Sequence, residues 1–233
     1  MISIFHPANE RGGADHGWLK AKHSFSFASW YNPEKIQFGA LRVLNDDWIA
    51  PAMGFGRHPH DNMEIITIPL SGSVRHEDSM GNKGVISTGE IQIMSAGMGV
   101  THSEHNGSNV DPLTLFQIWI MPKYKDVEPR YQQVAYEKKQ GFTDLVGNEK
   151  SNMPTWIHQD AVISIYNSKD SGTFEYDVKF KNNGVYFLVI EGEAEINGQK
   201  IKKRDALGVS ETEKISGTNG GNTSILVIEV PMK

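Results

Sequence analysis

The chain has no cysteine among its 233 residues. That excludes disulfides, thiolate metal sites and thiol redox switches together. A basic excess is also missing: 23 lysines and arginines stand against 28 acidic residues, for a formal net charge of −5. Direct nucleic-acid binding, which needs a basic face, gains no support from that balance. No apolar run approaches the length of a membrane span. The opening residues, Met1-Ile-Ser-Ile-Phe-His-Pro, carry no basic leader, apolar stretch or small-residue cleavage site, so the expected location is cytoplasmic. The sequons at Asn106 and Asn222 are then chance matches. Long helical periodicity is absent as well.

What is present reads as strands and turns. Hydrophobic residues make up 38% and charged residues 22%, the balance of a soluble globular chain. Strands are expected over Phe38–Leu44, Met63–Ile68, Ser73–Asp78, Glu90–Met94 and Leu113–Met121, rich in β-branched residues or alternating in polarity. Turn signals recur about every ten residues, as in a barrel or sandwich. Between Pro122 and Pro154 the composition turns polar and the strand signals fade. A linker with one or two short helices is expected there. From Ala161 the β pattern resumes.

The second half echoes the first. Ile65-Ile-Thr-Ile-Pro-Leu-Ser-Gly-Ser-Val has a counterpart in Phe187-Leu-Val-Ile-Glu-Gly-Glu-Ala-Glu-Ile, each an apolar strand broken at a glycine, Gly72 and Gly192. The order of elements predicts two similar barrels, over residues 1–122 and 155–233 with a linker at 123–154. Eight of the nine histidines (His158 excepted) lie in the first half. The second barrel is therefore expected to bind no metal.

Two residue pairs carry the chemistry: His58 with His60, and His102 with Glu104. Each is spaced i, i+2, and on a strand such residues point to one face. If the two strands meet across a barrel, three imidazoles and a carboxylate converge, a donor set for one divalent transition metal. Gly54, Gly56, Gly97 and Gly99 allow tight bends beside it. Pro59, with no N–H to donate, suits a bulge or strand end. Glu64 competes with Glu104 as a ligand, but a role holding an imidazole N–H fits it better. His76 and His105 read as structural or exposed, and His23 as a loop residue that could line the cavity mouth. Phe25, Phe27, Phe38, Met53, Phe55 and Trp119 are core candidates, a few of which could wall an aromatic pocket.

These residues resemble the cupins: His58-Pro-His60, Glu64 and Gly72 match the first cupin motif, and Gly89, Gly97, His102 and Asn106 the second, with serine at 95 for proline. The likeness to the pirin family is closer. Lys22-His-Ser-Phe-Ser-Phe, Phe38-Gly-Ala-Leu-Arg-Val, His58-Pro-His, Asp78-Ser-Met-Gly-Asn-Lys-Gly, Met94-Ser-Ala-Gly, His102-Ser-Glu and Gln117-Ile-Trp-Ile-Met-Pro carry it through most of the first half. The second half resembles shorter bacterial pirin-like proteins more loosely.

The resemblance implies an all-β bicupin, two double-stranded β-helix barrels in one chain, with a metal-binding N-terminal lobe. One metal would be held by His58, His60, His102 and Glu104, usually iron, although the donor set also accepts Mn, Co, Ni, Cu or Zn. Some pirins resemble flavonol dioxygenases that cleave quercetin with O2, and the resemblance implies a flavonol-like aromatic substrate with Glu104 as the catalytic base. Others act as regulators that sense iron oxidation state and meet a protein partner. A cupin enzyme acting on an unrelated small molecule is the third reading. Asp61 stands where many bacterial relatives have a basic residue, which bears on substrate charge.

Overall fold

The computed structural model describes residues 1–233. The chain is all-β, with two barrel lobes, each made from a seven-stranded and a four-stranded sheet. The sole helical element is a 3-10 turn at Ala8–Glu10. No helix is long and apolar enough to cross a membrane.

In the first lobe the large sheet runs, edge to edge, through residues 130–135, 90–95, 64–71, 113–120, 41–49, 19–23 and 12–15. Its small sheet runs 54–60, 100–106, 73–78, 83–87. The second lobe repeats the plan: 2–6, 206–210, 183–191, 223–231, 162–168, 141–148 and 155–157 face 171–177, 214–220, 193–196 and 199–202. Strands 64–71 and 183–191 occupy equivalent places. Gly72 and Gly192 turn the chain after them at φ 75° and 78°, a region that L side chains disfavour.

Two strands depart from the expected layout. Ile2–His6, at the N-terminus, pairs with Ala206–Ser210 and so edges the second lobe's sheet. Arg130–Ala135 pairs with Glu90–Ser95 and edges the first. The polar stretch expected to be a linker with short helices thus holds no helix, but two strands, Arg130–Ala135 and Gly141–Asn148. Its polarity misleads because 130–135 is an edge strand, half-buried along nearly its whole length, and such strands do not need an apolar sequence.

The two large sheets pack back to back. Phe116, Ile118 and Ile120 of the first lobe share one core of 23 buried residues with Tyr186, Leu226 and Ile228 of the second. Along Leu113–Ile120 the alternate residues Leu115, Gln117 and Trp119 point the other way, into the first barrel. The two barrel interiors differ. Fourteen buried apolar residues, Phe174, Tyr176 and Phe187 among them, fill the second. In the first, apolar packing falls into clusters of seven and four residues. The cavity lies between them.

Candidate metal centre and cavity

The strand Gly54–His60 forms the edge of the first lobe's small sheet and lies antiparallel to Val100–Asn106, with His58 opposite His102. Val100–Asn106 alternates strictly between buried and half-buried residues, and Val100, His102, Glu104 and Asn106 face inward. A bulge interrupts the pairing, because Glu104 lies opposite Phe55 rather than Gly56. Bulges re-aim neighbouring groups. Here the Gly56 carbonyl accepts a hydrogen bond from His58 Nδ1 at 2.8 Å. Gly54 is required at its position, since a Cβ there would run into the Glu104 carbonyl and His105. Pro59, which has no N–H to lose, sits on this edge strand.

His58, His60 and His102 converge, each offering one ring nitrogen within 4.8 Å of the other two. The Nε2 atoms of His58 and His102 are 3.0 Å apart. Two cis nitrogens on an octahedral ion at metal–nitrogen distances of about 2.1 Å would be ~3 Å apart, so the spacing fits. The protonation states fit as well. Burial, reinforced by the neighbouring imidazoles, lowers His102 to about 2. Burial and then His58 lower His60 to about 4. Neutral rings keep the lone pairs a metal needs. With Nδ1–H of His58 donated to Gly56, Nε2 of that ring is the free donor.

Behind the triad lies His76, fully buried, with Nε2 3.2 Å from His102 Nδ1. A metal on His102 Nε2 would fix the tautomer in which His102 Nδ1–H donates to His76. The His76 ring stacks on Tyr131 at 5.0 Å.

Glu104 lies one step deeper along its strand and lines the same cavity. Thr67 Oγ1 donates to its Oε1 at 3.0 Å, and Gln117 Nε2 donates to its Oε2 at 2.9 Å. Burial pushes its pKa up to about 7. Its oxygens do not join the three nitrogens inside the 4.8 Å group. The cavity measures about 480 Å³, walled by Trp18, Phe27, Phe55 and Trp119. His60 meets Trp119 edge-on at 4.9 Å. Asp47 also lines the wall, and burial, then the charges of Asp46 and Glu104, raise its pKa to about 7.

Other sequence expectations fall differently. Glu64 does not reach the triad. It is buried and accepts a 2.6 Å hydrogen bond from Ser95 Oγ. Residues 61–63 break the strand between His60 and Glu64, which turns Glu64 to the side of Ile66 and Ile68, toward the other lobe. The imidazole contact expected of Glu64 is made by His76 instead. His23 is on a strand rather than a loop and lines the cavity beside Asn45. Of the aromatic candidates, Phe27, Phe55 and Trp119 reach the cavity, whereas Phe25 and Phe38 belong to the core between lobes and Met53 is exposed. Sequence reasoning missed Thr67, Gln117, Asn45 and Asp47. Thr67 and Gln117 each stand as a polar residue within an apolar strand, whereas Asn45 and Asp47 carry no such signal because Arg42 and Asp46 also interrupt theirs.

The family model described as Pirin matches residues 4–120, and the model described as Quercetinase C-terminal cupin domain matches residues 145–230. An Escherichia coli K12 protein named quercetin 2,3-dioxygenase is 40% identical over 224 residues, 96% of each chain. This chain belongs to the pirin family. A pirin-like protein of Caulobacter vibrioides is 38% identical, covering 96% of this chain and 97% of its own. Among solved pirins, YhhW of E. coli superposes with a TM-score of 0.95 at 39% identity, over 99% of this chain and 98% of that one. YhhW in complex with nickel(II) superposes with a TM-score of 0.93 at 38% identity, over 99% of both. The pirin fold therefore comes with a histidine triad able to bind a metal, and a close relative is known with a metal ion.

Proposed function

We propose that this pirin is a metal-dependent dioxygenase that cleaves flavonols such as quercetin with O2, its ion held by His58, His60, His102 and Glu104. The observation that carries this reading is the convergence of three imidazoles in an aromatic-walled cavity, with a buried carboxyl just beyond them. We assign iron as the resident ion. A bound divalent metal would supply Lewis-acid stabilisation of an oxyanion on the substrate.

The chain's own residues do the rest. Trp18, Phe27, Phe55 and Trp119 offer ring faces and edges to a flat aromatic molecule. Glu104 is the proton acceptor for the flavonol 3-hydroxyl, as the buried carboxyl that lines the cavity beside the triad. Thr67 and Gln117 hold one oxygen each and orient the carboxylate. The apolar walls keep water away from the reacting ring. In the overall reaction the flavonol takes up O2, two bonds of its heterocycle break, both oxygen atoms enter the opened product, and one ring carbon leaves as carbon monoxide.

The test is oxygen uptake by the iron-loaded protein on quercetin, with carbon monoxide measured in the headspace. Equal consumption of O2 and release of CO is the expected result. A protein that binds metal yet takes up no O2 with quercetin would refute the activity.

A further inference from the structure

The cavity wall holds an acidic group that no protein donor satisfies. Asp47 is 5% exposed, and its Oδ1 is buried without a hydrogen-bond partner. Buried polar atoms in folded proteins nearly always have partners, and leaving a carboxyl unsatisfied is costly. Its cross-strand neighbours cannot serve, since Asp47 lies opposite Ala21 on one side and Leu115 on the other. Asn45, the next inward residue, engages His23 Nδ1 through its Oδ1 at 2.9 Å, and its Nδ2 makes no hydrogen bond to Asp47. Asp47 lines the cavity together with the imidazole triad; Oδ1 is sealed off, and Oδ2, which also accepts no hydrogen bond from the protein, is the oxygen open to it.

Register gives the distance between the two ends. Trp119, packed on His60, pairs with Val43, whereas Gln117, bonded to Glu104, pairs with Asn45. Asp47 is two residues further along the same strand, one layer deeper than Glu104. Two residues of strand separate the Asn45 layer, where Gln117 holds Glu104, from Asp47, roughly 7 Å at about 3.3 Å per residue. That matches the separation between the 3-hydroxyl of a flavonol and a hydroxyl on the far edge of its fused ring.

We propose that Asp47 anchors the end of the substrate remote from the metal by accepting a hydrogen bond from an aromatic hydroxyl, so that the cavity selects flat molecules hydroxylated at both ends. This assignment rests on the dioxygenase reading and narrows its substrate class. Within the flavonols, members with hydroxyls on the ring distant from the 3-hydroxyl are preferred over members with that ring bare.

Anaerobic titration of the metal-loaded protein tests it, using quercetin and 3-hydroxyflavone and following the flavonol absorbance band. The wild type should bind quercetin about tenfold or more tightly, as expected for a hydrogen bond to a charged or strongly polar acceptor. In Asp47→Leu the preference should vanish, with affinity for 3-hydroxyflavone retained and a melting temperature no lower than wild type. Asp47→Asn, which keeps an acceptor oxygen in place, should retain part of the preference and covers the case in which the leucine variant does not fold. Equal wild-type affinity for both ligands, or a preference that survives in Asp47→Leu, overturns the role of Asp47 and leaves the dioxygenase reading standing. Binding of neither flavonol overturns both.

Discussion

His58 and His102 face each other Nε2 to Nε2 across 3.0 Å, and the Nδ1 of His58 is tied to the carbonyl of Gly56 at 2.8 Å. With its Nδ1–H given to Gly56, His58 offers a bare Nε2, and a 3.0 Å spacing suits either a hydrogen bond from His102 Nε2–H or two nitrogens sharing one ion. Replacing either ring by alanine removes one of three convergent donors. His58→Ala and His102→Ala are each expected to lose the metal on purification, measured by elemental analysis. Wild-type stoichiometry in His58→Ala would take that residue out of the ligand set.

Glu104 separates ligand from base. Glu104→Gln preserves shape and can still meet Thr67 and Gln117 in the pocket that holds the carboxylate. It is expected to keep part of the metal while turnover per bound ion falls by about 10²–10⁴, the range for loss of a general base. Undiminished turnover in that variant would assign the proton to another group.

His76 supports His102 from behind, so its removal should act on the ion without touching the cavity. His76→Phe retains a flat ring to stack on Tyr131 but cannot accept from His102. Metal affinity is expected to weaken about 10- to 100-fold, as for other groups that orient a ligating histidine. Competition with a chromophoric chelator measures it. An unchanged affinity would reduce His76 to a packing residue.

A pH effect is expected at the contact between lobes. His6 hydrogen-bonds Tyr186 at 2.9 Å and lies edge-on to Phe25. Burial, aided by the charge of Lys35, lowers its pKa from 6.5 to about 4. Between those values the unfolded chain binds the proton and the folded chain does not, so stability should fall as the pH drops through this window. The contribution is complete above pH 6.5 and is lost as the pH approaches 4. In His6→Phe, the slope of unfolding free energy against pH over this range should lose about one proton's worth. Urea midpoints at several pH values provide the measurement, and parallel wild-type and variant curves would exclude His6 as the source.

Much of the centre was legible because strand side chains alternate. The i, i+2 spacing of His58 with His60 needs no long-range information to predict a shared face. The same rule failed for Glu64, where the break at residues 61–63 reset the alternation. It also could not find Thr67 or Gln117. These two meet Glu104 because Gln117 pairs with Thr67 across neighbouring strands, and register of that kind is set by which strands come together.

The amino-acid sequence by itself determined the all-β class, the doubled barrel, the absence of thiol chemistry and the two histidine-bearing strands, since each depends on composition or on periodicity over a few residues. Only the tertiary structure decided that residues 2–6, expected in the first barrel, edge the second lobe's large sheet, and that residues 130–135, expected in a linker, edge the first lobe's. It also decided that apolar side chains fill one barrel while the other keeps a cavity, and that Asp47 lines that cavity without a partner for Oδ1. Those outcomes depend on pairing between segments far apart in the chain, where the winning arrangement is the one that buries the most apolar surface while satisfying the backbone.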